Sequence, residues 1–322
     1  MRIGFIQTSA LGDCLLATAV LQRVRESHPN DRITWIIFDQ YRSVAAACPF
    51  CDDYIAWPLD PNVRRQDQEF QRWRELLYYA DRSFDLVVRP QIYPFHDWML
   101  RDGVSMLDQM FEYAKVTCTA PVRPLTFAKA GLGIKCDVAV NSKSNTQRPL
   151  WSDDQWKIFT DLLDPYVVCD GDSMGMSLES WRTTIMGASV YVGLDSGGTW
   201  LAATTNTPQV TLYSSHTTCP NWLSGIKANR VKDESLVTEV IDADPVKAAK
   251  VVLGILKGND NGKSASISAA GNSGRLRDAQ EGSEARHRTD DRAGAGTRDG
   301  LPQHPSDPRP VRSKAKARRI SR

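Results

Sequence analysis

Two short segments hold residue types whose spacing suggests chemistry. The first is Val190-Tyr-Val-Gly-Leu-Asp195-Ser196-Gly197-Gly198-Thr199-Trp200-Leu-Ala-Ala203. An apolar run of β type ends in Asp-Ser-Gly-Gly, and a small-residue helical pattern begins at once. That is the pattern of a buried strand feeding a tight turn and a helix N-terminus. Such a terminus presents unpaired backbone N–H groups and the positive end of the helix dipole, which suits a phosphate. The glycines let an anion approach the backbone closely. The second segment is Ser9-Ala-Leu-Gly12-Asp13, which follows the apolar run 3–7. Gly12 permits a sharp turn, and Asp13 sits at a helix start on the sheet edge where doubly wound folds bind ligands. A carboxylate there can act as a general base. The plainer reading is a helix cap, because Asp is favoured at helix starts. The chain lacks both the Gly-x-Gly-x-x-Gly and the Gly-x-x-x-x-Gly-Lys phosphate fingerprints at this turn.

The elements that must position these segments alternate along the chain. Apolar runs predict strands at 3–7, 32–38, 54–57 and 84–89. Helical periodicity predicts helices at 14–26, 40–47, 66–80 and 96–115. Residues 119–135 carry Pro121, Pro124 and two glycines with little periodicity, and read as a linker, part of which could form a last strand. The alternation then restarts, with strands at 137–141, 166–169, 189–194 and 209–213 and helices at 153–163, 177–186, 197–204 and 244–256. This β-α-β-α order implies parallel sheets with helices on both faces. The expected organisation is two Rossmann-like halves: residues 1–120, a linker 121–136, residues 137–257, and a tail 258–322. The tail has no Phe, Trp or Tyr and cannot bury enough apolar surface to offset chain ordering, so disorder is expected there.

The chain has 322 residues and a net charge of +2. The tail holds 14 Lys/Arg and 8 Asp/Glu, leaving 26 basic and 30 acidic residues in the body. A mildly acidic body argues against nucleic-acid binding as the main task. The basic tail could touch an anionic lipid or nucleic acid, or have no role. The seven cysteines are scattered through apolar segments, which fits free thiols in a reducing cytoplasm. Cys48-x-x-Cys51 has neither a second Cys pair nor a His cluster beside it, so neither zinc nor redox chemistry is favoured. The N-terminus lacks the features of a signal peptide, and no run reaches the roughly 18 apolar residues of a membrane span.

Read together, the two segments have a precedent. Ile3-Gly-Phe-Ile-Gln-Thr-Ser-Ala-Leu-Gly-Asp13-Cys-Leu-Leu-Ala-Thr-Ala-Val-Leu-Gln22 resembles the opening of glycosyltransferase family 9, the ADP-heptose lipopolysaccharide heptosyltransferases. Cys48-Pro-Phe-Cys-Asp-Asp-Tyr-Ile-Ala-Trp-Pro58 resembles its Asn-Pro-Tyr-Val-Asp stretch, and Phe84-Asp-Leu-Val-Val88 its Tyr-Asp-Leu-Val-Ile strand. Gly193 to Ala203, followed by Thr207-Pro208, is similar to its Asp-Ser-Gly-x-x-His-Leu-Ala-Ala and Thr-Pro stretch. The resemblance spans about residues 1–257.

The resemblance implies a GT-B fold, two Rossmann-like domains with the active site in the cleft between them. It also implies an inverting reaction that needs no metal and no cofactor beyond a nucleotide-diphosphate sugar such as ADP-heptose. Asp13 matches the family's proposed catalytic base, with Ser9 and Gly12 in the same acceptor-side loop. Asp195, Ser196, Gly197, Gly198 and Thr199 match its donor-binding turn. Ser142, Lys143 and Arg148 match the loop that holds the diphosphate, and Asp172 is a further candidate for the nucleotide. His96, beside Arg89, Tyr93 and Arg101, could face the acceptor, although a solvated helix start is the plainer reading.

Two positions depart from the family. Trp200 stands where it usually has His, and Pro149 where it has a Lys two places before the Trp (here Trp151). Trp200 implies a different donor, stacking on the donor's base or sugar, reduced activity, or simply a core aromatic. The function implied is transfer of a sugar to a glycan acceptor such as lipopolysaccharide core, in the cytoplasm or peripherally at the inner face of its membrane. The alternatives are a degenerate, non-catalytic nucleotide-sugar-binding relative and an epimerase of related two-domain fold.

Overall fold

The computed structural model describes residues 1–58, 65–90 (side chains from 72 onward), 103–143, 151–213, 225–242 and 244–258. Of the expectations above, His96, Tyr93, Arg101, Arg148, Pro149, the first part of the 96–115 helix and the tail beyond 258 lie outside the described residues.

Two all-parallel sheets organise the chain. The first has the order β3-β2-β1-β4, built from β1 (Arg2–Ile6), β2 (Arg32–Phe38), β3 (Asp53–Trp57) and β4 (Leu86–Val88). Its crossovers contain α1 (Leu11–Ser27), α2 (Arg42–Ala46, after a 3-10 turn) and α3 (Arg65–Ser83), and α4 (Met106–Tyr113) follows β4. The second has the order β6-β5-β7-β8-β9, from β5 (Val138–Asn141), β6 (Val168–Asp170), β7 (Val190–Leu194), β8 (Gln209–Tyr213) and β9 (Val237–Ile241). Its helices are α5 (Asp153–Asp161), α6 (Gly171–Met174), α7 (Leu178–Gly187), α8 (Gly197–Ala202), α9 (Ile226–Asn229) and α10 (Pro245–Leu256).

Strand order reverses direction at one place in each sheet, between β1 and β4 and between β5 and β7. Ligands of open α/β sheets bind beyond the carboxyl ends of strands at such switch points. Ser9–Asp13 leaves β1 at the first switch point, and Asp195–Thr199 leaves β7 at the second.

Helix α1 is apolar on nearly every side: Gly12, Cys14 through Leu21 and Val24 are buried. A helix apolar all round is a core helix. Here it packs against α4 and against α8, which belongs to the second sheet. One apolar cluster accordingly runs from Ile3, Phe5 and Leu15 through Trp200, Leu201 and Ile226.

The linker forms no strand; residues 116–136 run without regular structure. It is tied first to the N-terminal half, where Thr126 N–H donates to Thr18 Oγ1 (3.0 Å) and Ala128 N–H to the Ala47 carbonyl (2.7 Å). It is then tied to α7, where Gly131 and Ile134 N–H donate to Thr183 and Thr184 hydroxyls (3.0 and 2.9 Å). The two halves are also clasped by Arg123, whose buried guanidinium pairs with Asp108 and donates from Nη2 to the Asn229 carbonyl (2.9 Å). Leu107 N–H donates to Asn229 Oδ1 at 2.7 Å, which joins α4 to α9.

Candidate active site

Helix α1 begins at Leu11, three residues earlier than periodicity alone places it, and Ala10 is its N-cap. Alanine offers no side-chain acceptor. The missing cap is supplied from the third helical position, where Asp13 Oδ2 accepts the Ala10 N–H at 3.2 Å. The cap reading of Asp13 is thus correct in kind, but acts backwards from inside the first turn. The bond orients a half-buried carboxylate in the first turn of α1. Gln7 Nε2 donates to the Asp13 carbonyl (3.3 Å) and steadies the turn from below. Gln7 Oε1 and Ser9 Oγ are buried without a hydrogen-bond partner among the described residues.

Gly12 does not make the turn by unusual backbone geometry, because it lies within the helix. It is needed for contact instead. A Cβ there would lie 2.4 Å from Trp200 Cδ1 and 2.8 Å from its Nε1. Trp200 is only 4% exposed, so it is a core aromatic laid against Gly12. Gly197 is similarly filled by Leu11, whose Cδ2 would be 2.6 Å from an added Cβ. The N-termini of α1 and α8 therefore abut.

On the α8 side, Gly198 is pressed against Asn141, whose Oδ1 would be 2.1 Å from a Cβ. Asn141 Oδ1 accepts from Trp181 Nε1 (2.8 Å) and the Tyr191 hydroxyl (3.0 Å), a buried network beneath the turn. Burial pushes the Tyr191 phenol up from its ordinary value. The two glycines thus make room for protein neighbours. The Thr199 hydroxyl donates to the Leu194 carbonyl, closing the turn, and Thr199 N–H donates to the Ser196 carbonyl (3.1 Å). This engagement narrows the anion-binding amides expected at 196–199 to those of Ser196, Gly197 and Gly198.

Asp195 is half-buried. Its carboxyl is pushed up to about 7, first by burial, then by the charges of Asp13 and Glu239. The influence of Asp13 reaches it across the contact between the two halves. At the other end of α8, the buried Lys232 donates to the Ala202 carbonyl (3.2 Å), the Thr207 carbonyl and Gln209 Oε1 (3.4 Å). Burial pulls its ammonium down to about 7. A cation at a helix C-terminus is well placed, and here it holds α8 in position.

Ser142, Lys143 and Asp172 come together at the ends of β5 and β6, adjoining a cavity of about 350 Å³ that Ser142, Lys143, Trp156 and Asp170 help to line. The Ser142 hydroxyl donates to Asp170 (2.7 Å), and Lys143 N–H donates to Asp172 (2.8 Å). These bonds tie the two loops to each other. Tyr191 and Glu239 were not singled out from sequence. Period-2 alternation puts Tyr191 on the same face as Gly193, where a Cβ would meet its hydroxyl at 2.2 Å, and that small–large pairing was the available signal.

Elsewhere, Cys48 and Cys51 follow α2 and are free thiols. The Cys51 thiol is pushed up by its hydrogen bond with Cys48 and by burial, the reverse of a reactive thiolate. No group of three or more His, Cys, Asp or Glu among the described residues could hold a metal ion. No helix among them is long and apolar enough to cross a membrane.

Comparison with known proteins places these loops in context. Residues 174–233 match the profile of glycosyltransferase family 9 (heptosyltransferase). No curated protein sequence matches the chain. Among solved structures, a glycosyltransferase family 9 protein from Veillonella parvula is similar, with a TM-score of 0.56 at 13% identity over 80% of this chain and 97% of that one. Escherichia coli heptosyltransferase WaaC, solved with ADP-2-deoxy-2-fluoro heptose, gives 0.53 at 14% identity over 80% of this chain and all of that one. E. coli ADP-heptose lipopolysaccharide heptosyltransferase II gives 0.53 at 12% identity over 80% and 99%. The fold is that of the GT-B glycosyltransferases. The family match covers residues 174–233, and what the chain as a whole shares with these proteins is the fold.

Proposed function

We propose that the chain transfers a sugar, such as a heptose, from a nucleotide-diphosphate donor to a glycan acceptor such as lipopolysaccharide core, with inversion and without a metal. The observation that carries this reading is the abutment of the α1 and α8 N-termini at the two switch points, with Asp13 in the first turn of α1 and the Asp195–Gly198 turn leading into α8. The amides of Ser196, Gly197 and Gly198, with the α8 dipole behind them, receive the diphosphate. Asp13 takes the acceptor hydroxyl proton as that oxygen attacks the anomeric carbon. The bond to the diphosphate breaks on the opposite face, and its electron pair leaves with the phosphate, whose growing charge the amides stabilise. Ser142, Lys143, Arg148 and Asp172 serve the nucleotide end, while Ser9 and His96 serve the acceptor end. The work is done in the cytoplasm, at the membrane face when the acceptor is lipid-linked.

Asp13→Ala tests the assignment. Transfer should fall by 10³-fold or more, roughly the contribution of a positioned base. Nucleotide binding, measured separately by calorimetry, should persist within about threefold. Undiminished transfer in Asp13→Ala removes the base. Trp200 at the family's His position favours a second reading, a binding protein without turnover. That reading predicts nucleotide-sugar binding and no product for any donor with acceptor present.

A further inference from the structure

We infer that Lys232 and Gln209 are positioning residues for the Asp195–Thr199 turn. The buried ammonium fixes which way the Gln209 amide points, and that amide holds Thr199, the residue that closes the turn. Only the turn's part in the reaction rests on the nucleotide-sugar reading above.

An ammonium has three N–H donors and no acceptor. Lys232, which follows α9, is 5% exposed, and its Nζ donates to three neutral oxygens: the Ala202 carbonyl (3.2 Å), the Thr207 carbonyl and Gln209 Oε1 (3.4 Å). Gln209 is the first residue of β8 and is fully buried. One end of its amide accepts and the other donates, and a neighbour that can only donate must meet the oxygen. Nε2 is thereby turned the other way, where it donates to the Thr199 carbonyl (3.2 Å) and to Thr211 Oγ1 (3.1 Å).

At Thr199 these bonds reach the turn. Its hydroxyl donates to the Leu194 carbonyl at the end of β7, and its N–H donates to the Ser196 carbonyl (3.1 Å). Thr199 therefore grips the chain on both sides of Asp195. The Tyr191 hydroxyl lies 3.4 Å from Thr199 Oγ1 and links it to Asn141 and Trp181 below. Lys232 also holds the far end of the same helix, through the Ala202 carbonyl. Helix α8 has six residues, too few to stand by its own hydrogen bonds, so its place is set from outside.

One substitution separates the turn from the stability of the half that carries it. Gln209→Glu gives the ammonium a carboxylate partner but presents an oxygen, in place of an N–H, to the Thr199 carbonyl. The Lys232 end gains while the Thr199 end is lost. Lys232→Met removes the donor that orients the amide and keeps a side chain of similar length.

The test is hydrogen–deuterium exchange of the full chain, read by mass spectrometry on peptides covering 194–203, with β2 (32–38) as reference, beside denaturant melts. In Gln209→Glu, exchange across 194–203 should quicken by about fivefold or more, the loss of one buried hydrogen bond, while β2 and the melt midpoint stay close to wild type. Lys232→Met should quicken the same peptides. Whichever of ADP, GDP, UDP and CDP binds the wild type tightest should bind Gln209→Glu about fivefold more weakly, a change that stability alone would not produce. Exchange at 194–203 that keeps the wild-type rate in Gln209→Glu overturns the proposal. So does a global loss, seen as faster exchange in β2 or as failure of Gln209→Glu to fold. Gln209→Glu decides alone where Lys232→Met does not fold. If none of the four nucleotides binds the wild type, the nucleotide-sugar reading fails, and the exchange rates still judge the positioning.

Discussion

Asp13 and Asp195 are both partly buried carboxylates at a helix N-terminal turn, yet their surroundings differ. Asp13 is held by the backbone it caps. Asp195 is raised to about 7 by burial and by its acidic neighbours, so the folded protein binds a proton there that the unfolded chain releases near the ordinary value of 3.8. The native state thus binds more protons than the unfolded state between about pH 4 and pH 7. Stability from this group is full below about 4 and is lost as pH rises through about 7. Asp195→Asn removes that loss. Denaturant melts should show the variant gaining on the wild type by roughly 1–3 kcal/mol between pH 4 and pH 8, a range set below the full shift because the group is only partly buried. An unchanged difference across that range would show that Asp195 titrates normally. The elevated carboxyl could not be read from sequence, because its causes lie on α1 and β9, far away along the chain.

At the scale of elements, the Gly12–Trp200 contact is the joint on which the site is built. In Gly12→Ala the added Cβ meets a rigid indole at 2.4 Å, and the strain should cost about 1–3 kcal/mol. In a Trp200→His background the smaller ring leaves room. The same change should then be neutral or stabilising by up to about 1 kcal/mol, since Ala is the better helix residue. A double-mutant cycle read by chemical denaturation checks this sign reversal, and additive effects would mean that the two residues do not bear on each other.

Sequence patterning located β1 with α1 and β7 with α8, because each pairs a short apolar run with a small-residue helix. It placed the start of α1 too late, because Ala10 is not a capping residue and the cap comes from inside the helix. It missed β9, an edge strand whose Thr238 and Glu239 interrupt the apolar pattern. It also missed α6 and α9, each only four residues long and too short to show a period. Trp200 stood out as a departure, but its partner Gly12 is 188 positions away and only the fold brings them together.

For the molecule as a whole, the described residues put two parallel sheets on either side of α1 and α8. A shared apolar cluster, the Arg123 clasp and a linker bonded to both halves join them. Arg123 is buried while Asp108 is partly exposed, so the pair contributes to that joint without the full cost of a buried ion pair. The two switch points consequently meet at one place, and the account stands on what binds there. The most direct measurement is a crystal structure of the chain with a bound nucleoside diphosphate. The account predicts phosphate oxygens within hydrogen-bond distance of the Gly197 and Gly198 amides, facing Asp13. A nucleotide bound away from the α8 N-terminus, with that turn untouched, would contradict it.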